Sequence, residues 1–288
     1  MSTSTPLPKS DIDWDNMGFN INNVAPRMFV ATCGQDGKWT GSMQNYGPMP
    51  MHPSAQVLNY GQSIFEGMKA QRSVGGKIVL FRPDQNAARM MAGADRMSMP
   101  QVPSDLFVRA CHDVVKENAA YVPPMGKGAL YLRPLLMGTG PILGLGPAPS
   151  YTFLIYAAPV GAYFKGGQLT PIDLIVEERF HRAAPGEHPL GAREPVPACS
   201  LDTPPFPPGT GGMGGTKAAG NYSPVLVTQL AAKKSGYADV VYLDAKEDKY
   251  LEEVSSCNIF VVKGKTIRTP PLGVSRWAPR LVGAPSGC

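Results

Sequence analysis

The segment Gly212–Pro224 (GMGGTKAAGNYSP) sets one lysine, Lys217, among glycines and small residues directly ahead of a helix-forming stretch. Glycine lets backbone approach a ligand closely. A lysine walled by small side chains can shed water and act as a neutral amine nucleophile. The same pattern is also what a Gly-rich loop with one surface lysine looks like, so the segment alone leaves both readings open. Glu252 and Glu253 stand side by side in Leu251–Phe260 (LEEVSSCNIF) and, read alone, are surface glutamates that the sequence does not tell apart. Arg89, read alone, is a solvated helix charge. Tyr60, Phe65, Tyr131, Arg133 and Tyr163, taken singly, are ordinary core or strand material.

Metal chemistry is not expected. His52, His112, His181 and His188 never fall at ligand spacing with one another, and the five scattered cysteines contain no CxxC pair. An odd number of unpaired-looking cysteines fits a reducing, intracellular compartment better than a disulfide framework.

These residues need elements to hold them. Strands are expected at Met28–Cys33, Val57–Tyr60, Ile64–Ala70, Lys77–Phe81, Ala129–Met137 and Tyr151–Ala158. Asp84–Met97 follows Pro83 and has helix-forming composition, and Ser104–Ala120 opens with a Ser cap and places Leu106, Ala110 and Val114 on one face. After a connection over residues 161–170, strands are expected at Ile172–Glu178, Asp239–Leu243, Asn258–Val262 and Thr266–Arg268, with a helix over Ser223–Lys234. The pattern predicts a mixed α/β (α+β) protein. Its divisions are a polar lead-in to residue 25, a first domain over 26–160, and a second domain over 171–272.

Composition narrows the class further. Hydrophobic residues are 43% of the 288, enough for a real core. No apolar run approaches the ~20 residues of a membrane span. The net charge of +5 comes wholly from the end of the chain: residues 263–288 hold five basic residues and no acid, and the rest balances. A neutral body with a basic end is not a nucleic-acid footprint. The N-terminus has no apolar signal core and is too acidic for a transit peptide. Glu187–Gly211 is 25 residues with seven prolines and no periodicity, which predicts an exposed, mobile loop. Residues 273–288 show no strand or helix pattern either.

Seven segments occur in order at plausible spacing: NYGQSIFEGM (59–68), FRPDQNAARM (81–90), YLRP (131–134), VGAYF (160–164), RAAP (182–185), the Lys217 segment and LEEVSSCNIF (251–260). Together they resemble the branched-chain-amino-acid aminotransferases, class IV pyridoxal-phosphate enzymes, over roughly residues 11–271. The resemblance implies the class IV fold, with a small N-terminal α/β domain and a large cofactor-binding domain. It implies amino transfer between leucine, isoleucine or valine and 2-oxoglutarate, with branched-chain amino acids and 2-oxo acids as substrates. A homodimer is also implied, with no nucleic-acid or membrane partner.

Residue by residue, the resemblance implies that Lys217 attaches pyridoxal phosphate and moves the α-proton. Glu253 faces the pyridine nitrogen, Tyr222 hydrogen-bonds the phenolic oxygen, Arg89 grips the phosphate, and Arg182 belongs to the cofactor site. Tyr60, Phe65, Tyr131, Arg133 and Tyr163 surround the substrate. Leu143 and Leu145 lie on the loop that closes the partner subunit's site.

Two departures stand out against the family. Arg182 and Lys217 are 35 residues apart, and deleting Glu187–Gly211 restores the family's spacing of ten. Closing such a loop costs only a few kcal/mol, but displacing the lysine by an ångström can cost about a hundredfold in rate. After Thr269–Leu272 (TPPL) the family's phosphate-binding turns do not follow, which predicts weak cofactor binding and little transaminase activity for this chain. The alternative readings are an impaired variant that only pairs with complete subunits, and a D-amino-acid aminotransferase or aminodeoxychorismate lyase of the same fold.

Overall fold

Phe29, Ala31 and Cys33 alternate with less buried residues in Arg27–Cys33 (β1), the period of a strand with one face on a core. Trp39–Asn45 (β2) turns back on it as an antiparallel hairpin. This second strand is not visible in the sequence, because WTGSMQN is polar, largely exposed and held by the ladder of its partner. The computed structural model describes residues 5–161, 170–182, 213–245 and 248–270. They form two compact units. One is built on residues up to Thr170 together with Lys217–Ala219, and the other on the described residues from Pro171 to Thr216 and from Gly220 onward. The expected loop Glu187–Gly211, the end segment 273–288, Tyr163 and most of 161–170 lie outside the described residues.

In the first unit, Gln56–Tyr60 is a single helical turn (α1), where a strand is expected over Val57–Tyr60. Four residues are too few to fix a period, and Gly61 settles the matter by taking the left-handed conformation (φ 67°) that closes a helix. Ile64–Ala70, expected as one strand, is two: Ser63–Phe65 (β3) and Met68–Arg72 (β4). Both pair with one later strand in a single continuous register, and the break falls opposite Pro134. The Glu66 N–H donates to the Pro134 carbonyl at 2.8 Å, but proline has no N–H to return the bond, so the ladder lapses for two residues. Ile78–Leu80 (β5) completes that edge.

Pro83–Arg96 (α2) starts with Pro83 at its first turn, as expected. Ser104–Glu117 (α3) is capped by Pro103, not by Ser104. The Pro103 carbonyl accepts from the Phe107 N–H at 2.9 Å, and Ser104 is already helical. The buried face of α3 is Phe107, Ala110, Cys111, Val114 and Val115, with Leu106 only half-buried. Ala129–Gly138 (β6) and Tyr151–Val160 (β7) pair over ten residues. The antiparallel sheet runs β2-β1-β7-β6-β4-β5, with β3 added to β6. Phe107 of α3 stacks on Phe153 of β7 at 5.7 Å between ring centres, and Phe29 and Trp39 close on the same ring.

In the second unit, Leu174–Glu177 (β8), Val225–Lys234 (α4), Asp239–Leu243 (β9) and Leu251–Val254 (β10) give a three-stranded sheet, β10-β9-β8, with β8 parallel to β9. Val225, Ala232, Val240 and Tyr242 form its core. β10, which holds Glu252 and Glu253, is a strand the sequence does not announce, since two charges interrupt its apolar pattern. Val261–Lys263 (β11) and Thr266–Arg268 (β12) make a small exposed hairpin. Residues 258–260, expected to begin the first of these strands, are outside it. Among the described residues no helix is long and apolar enough to cross a membrane, and no group of acidic, His and Cys side chains could hold a metal.

Candidate active site

The continuous register across the β3–β4 break points Phe65 and Gly67 to one face of the sheet, with Tyr131 and Arg133 of β6 and Tyr156 of β7 beside them. The Arg133 guanidinium lies over the Phe65 ring at 4.8 Å and the Tyr131 ring at 5.3 Å, and its Nη2 donates to the Tyr131 hydroxyl at 3.1 Å. Its Nε is buried and has no hydrogen-bond partner. Gly67 makes room for this arrangement, because a Cβ there would collide with the Tyr131 hydroxyl.

Lys217 joins this face through the backbone. The Phe65 N–H donates to the Lys217 carbonyl at 3.1 Å, and Ile64 and Ala218 form an antiparallel bridge. The free edge of β3 therefore holds this segment by a one-residue bridge at Ala218, just before the 3-10 turn Ala219–Asn221, and Lys217 Nζ comes to 4.8 Å from the centre of the Phe65 ring. One aromatic ring thus meets both cations, an arrangement that the negative face of a π system favours.

Arg89 on α2 reaches Glu66, whose carboxylate is wholly buried. Nε and Nη2 of Arg89 donate to the two carboxylate oxygens, and Asn86 Nδ2 donates to Oε2 at 2.7 Å. Tyr60 is half-exposed and donates its hydroxyl to the Leu143 carbonyl at 3.1 Å, while Leu143 and Leu145 are almost fully exposed.

The second unit holds the other polar cluster. Arg182, 9% exposed, donates Nε to Glu253 Oε1 and Nη1 to the Ser255 carbonyl, each at 2.7 Å. Its guanidinium also lies 5.2 Å from the Tyr222 ring centre. Ser255 is buried and donates to Asp239 Oδ1 at 2.5 Å, which anchors the turn after β10. The side chain of Asn221 donates to the Met213 and Thr216 carbonyls, closing the turn that leads into Lys217. Glu252 and Glu253, equivalent in the sequence, are separated by the alternation of β10. Glu253 meets Arg182, while Glu252 turns inward, 3% exposed, with Oε2 unpartnered. Burial first, then the Glu253 and Asp244 carboxylates, push the Glu252 carboxyl up to about 7.

The first unit offers an amine on an aromatic face and a carboxylate-held guanidinium, and the second offers a carboxylate steadied by arginine and a phenol. The chain is 52% identical over 262 residues to the chloroplastic branched-chain-amino-acid aminotransferase 2 of Arabidopsis thaliana, covering 91% of this chain and 61% of that protein. It is 42% identical over 271 residues to branched-chain-amino-acid aminotransferase 6 of the same plant, covering 94% of this chain and 68% of that relative. The chain belongs to the branched-chain amino acid aminotransferase family.

It spans about 60% of the length of the first of these relatives. The fold agrees: the crystal structure of the Escherichia coli branched-chain amino acid aminotransferase is 26% identical, with a TM-score of 0.65 over 87% of this chain and 69% of that one. No protein-family model matches the chain. Sequence reasoning on this chain named Phe65 but passed over Glu66 and Gly67 beside it, and it also missed Tyr156 and Asn221. Glu66 was open to detection, since a lone carboxylate inside SIFEGM, an otherwise apolar strand stretch, must find a cation if buried.

Proposed function

We propose that this chain acts as a branched-chain amino acid aminotransferase, passing the amino group of leucine, isoleucine or valine to 2-oxoglutarate with pyridoxal phosphate as cofactor. The donor set suits that group: an amine for its aldehyde, a carboxylate for its ring nitrogen, a phenol for its hydroxyl and a guanidinium for its phosphate. When bound, pyridoxal phosphate supplies an electron-withdrawing ring that makes the α-hydrogen of an attached amino acid acidic.

Lys217 attaches the cofactor through Nζ and then carries the α-proton on the same nitrogen. Glu253, steadied by Arg182, faces the ring nitrogen and keeps a proton there. Tyr222 donates to the phenolic oxygen, and Arg89 grips the phosphate. Arg133, with a buried Nε seeking an acceptor, orients the substrate carboxylate with Tyr131. Phe65 and Tyr60 border the apolar side chain, as does Tyr163, outside the described residues. Leu143 and Leu145 project from the surface and pack on a second copy of the chain, making a homodimer.

The observation that carries this reading is the seating of Lys217. Its carbonyl is fixed to Phe65 and its amine lies on the ring that also supports Arg133. The test is purified chain with pyridoxal phosphate, leucine and 2-oxoglutarate, followed for glutamate and 4-methyl-2-oxopentanoate formed in equal amounts. D-alanine and aminodeoxychorismate serve as rival substrates. Equal formation of the two products, faster than with either rival, supports the reading. Turnover of a rival but not of leucine overturns it.

A further inference from the structure

Among the described residues of the first unit Glu66 is the most deeply buried charged group, and none of the roles above uses it. Its backbone is fixed by the bond to Pro134, and its side chain projects where α2 crosses β3. Three hydrogen bonds converge on the carboxylate, two from the Arg89 fork and one from Asn86. Asn86 and Arg89 are three residues apart on α2 and so lie on one face of the helix. A bidentate fork fixes the plane of a guanidinium, and the buried carboxylate has no freedom to follow a wandering arginine.

We infer that Glu66, held by Asn86, is a positioning residue that fixes the Arg89 guanidinium in the orientation in which it meets the cofactor phosphate. The inference rests on the reading of Arg89 as the phosphate-binding arginine. Two effects oppose each other here. The carboxylate partly cancels the charge that attracts a dianion, and it also removes the cost of ordering the arginine on binding. Orientation wins, because a guanidinium hydrogen-bonds an anion well only in its own plane, whereas a long arginine left without its carboxylate samples many rotamers.

The experiment titrates the full chain with pyridoxal phosphate and, separately, with pyridoxal, which lacks the phosphate, following absorbance. The quantity read is the ratio of the two affinities. Arg89→Ala abolishing the advantage of pyridoxal phosphate upholds the reading of Arg89. Glu66→Gln is then expected to lower the advantage about tenfold to a hundredfold, the span of a lost charged hydrogen bond, with pyridoxal affinity unchanged. An advantage left intact or enlarged in Glu66→Gln overturns the inference while the reading of Arg89 stands. If Arg89→Ala leaves the advantage intact, or the unaltered chain shows none, that reading fails and the inference with it. Should Glu66→Gln not fold, Asn86→Ala decides, since it keeps the ion pair and removes one tether. A several-fold smaller advantage supports the inference, and an unchanged one overturns it.

Discussion

Arg182 donates Nε to Glu253 Oε1 and Nη1 to the Ser255 carbonyl, each at 2.7 Å, so one guanidinium ties the end of β10 to the chain that leads away from β8. Both side chains are largely withdrawn from water, at 8% and 19% exposure. Removing one partner of such a pair leaves a charge without compensation. Arg182→Met is expected to cost about 3 kcal/mol, the low end for a broken buried pair because Glu253 keeps some solvent. Arg182→Lys is expected to recover the charge but not the second hydrogen bond, and so to fall between the two. Urea denaturation of the three proteins checks the order. Equal midpoints for Arg182→Met and the unaltered chain would show that the pair contributes nothing to folding.

Gly67 and Tyr131 compete for one volume. Gly67→Ala is expected to destabilise by about 1–3 kcal/mol, as overpacking does, because the new methyl collides with the Tyr131 hydroxyl. Adding Tyr131→Phe removes the colliding oxygen and is expected to recover part of the loss. A double-mutant cycle on thermal melts reads the coupling. Additive losses would place the effect of Gly67→Ala somewhere other than at Tyr131.

Glu252 makes stability depend on pH in a direction opposite to that of most carboxylates. The unfolded chain releases this proton near 4.5, while the folded chain holds it to about 7. Between those values the folded state binds more protons, so this contribution is full below 4.5, falls as pH rises, and levels off above 7. At about 1.4 kcal/mol per pH unit the whole change is on the order of 3 kcal/mol. Glu252→Gln should therefore match the unaltered chain at pH 4 and be the more stable of the two at pH 8. Paired melts at the two values measure the difference, and a constant offset would contradict the account.

The long strands β6 and β7 and the helices α2 and α3 were legible because their apolar periods run for ten residues or more. What the sequence could not yield depended on partners distant along the chain. Residues 56–60 became helical through the left-handed Gly61, and the β3–β4 break came from Pro134, almost seventy residues from Glu66. Glu252 and Glu253 could be told apart only once β10 had a sheet to alternate against. Lys217 was legible as a candidate from its glycines, but its seat on β3 was not, since no residue of the Lys217 segment signals the bridge from Ala218 to Ile64.

The role of Lys217 is tested most directly by reducing the chain with borohydride in the presence of pyridoxal phosphate and mapping the modified peptide. The account predicts that the reduced cofactor is found on Lys217, and that Lys217→Ala loses it while the other lysines stay unmodified. Cofactor bound and reduced onto a different lysine, with Lys217 untouched, would contradict it.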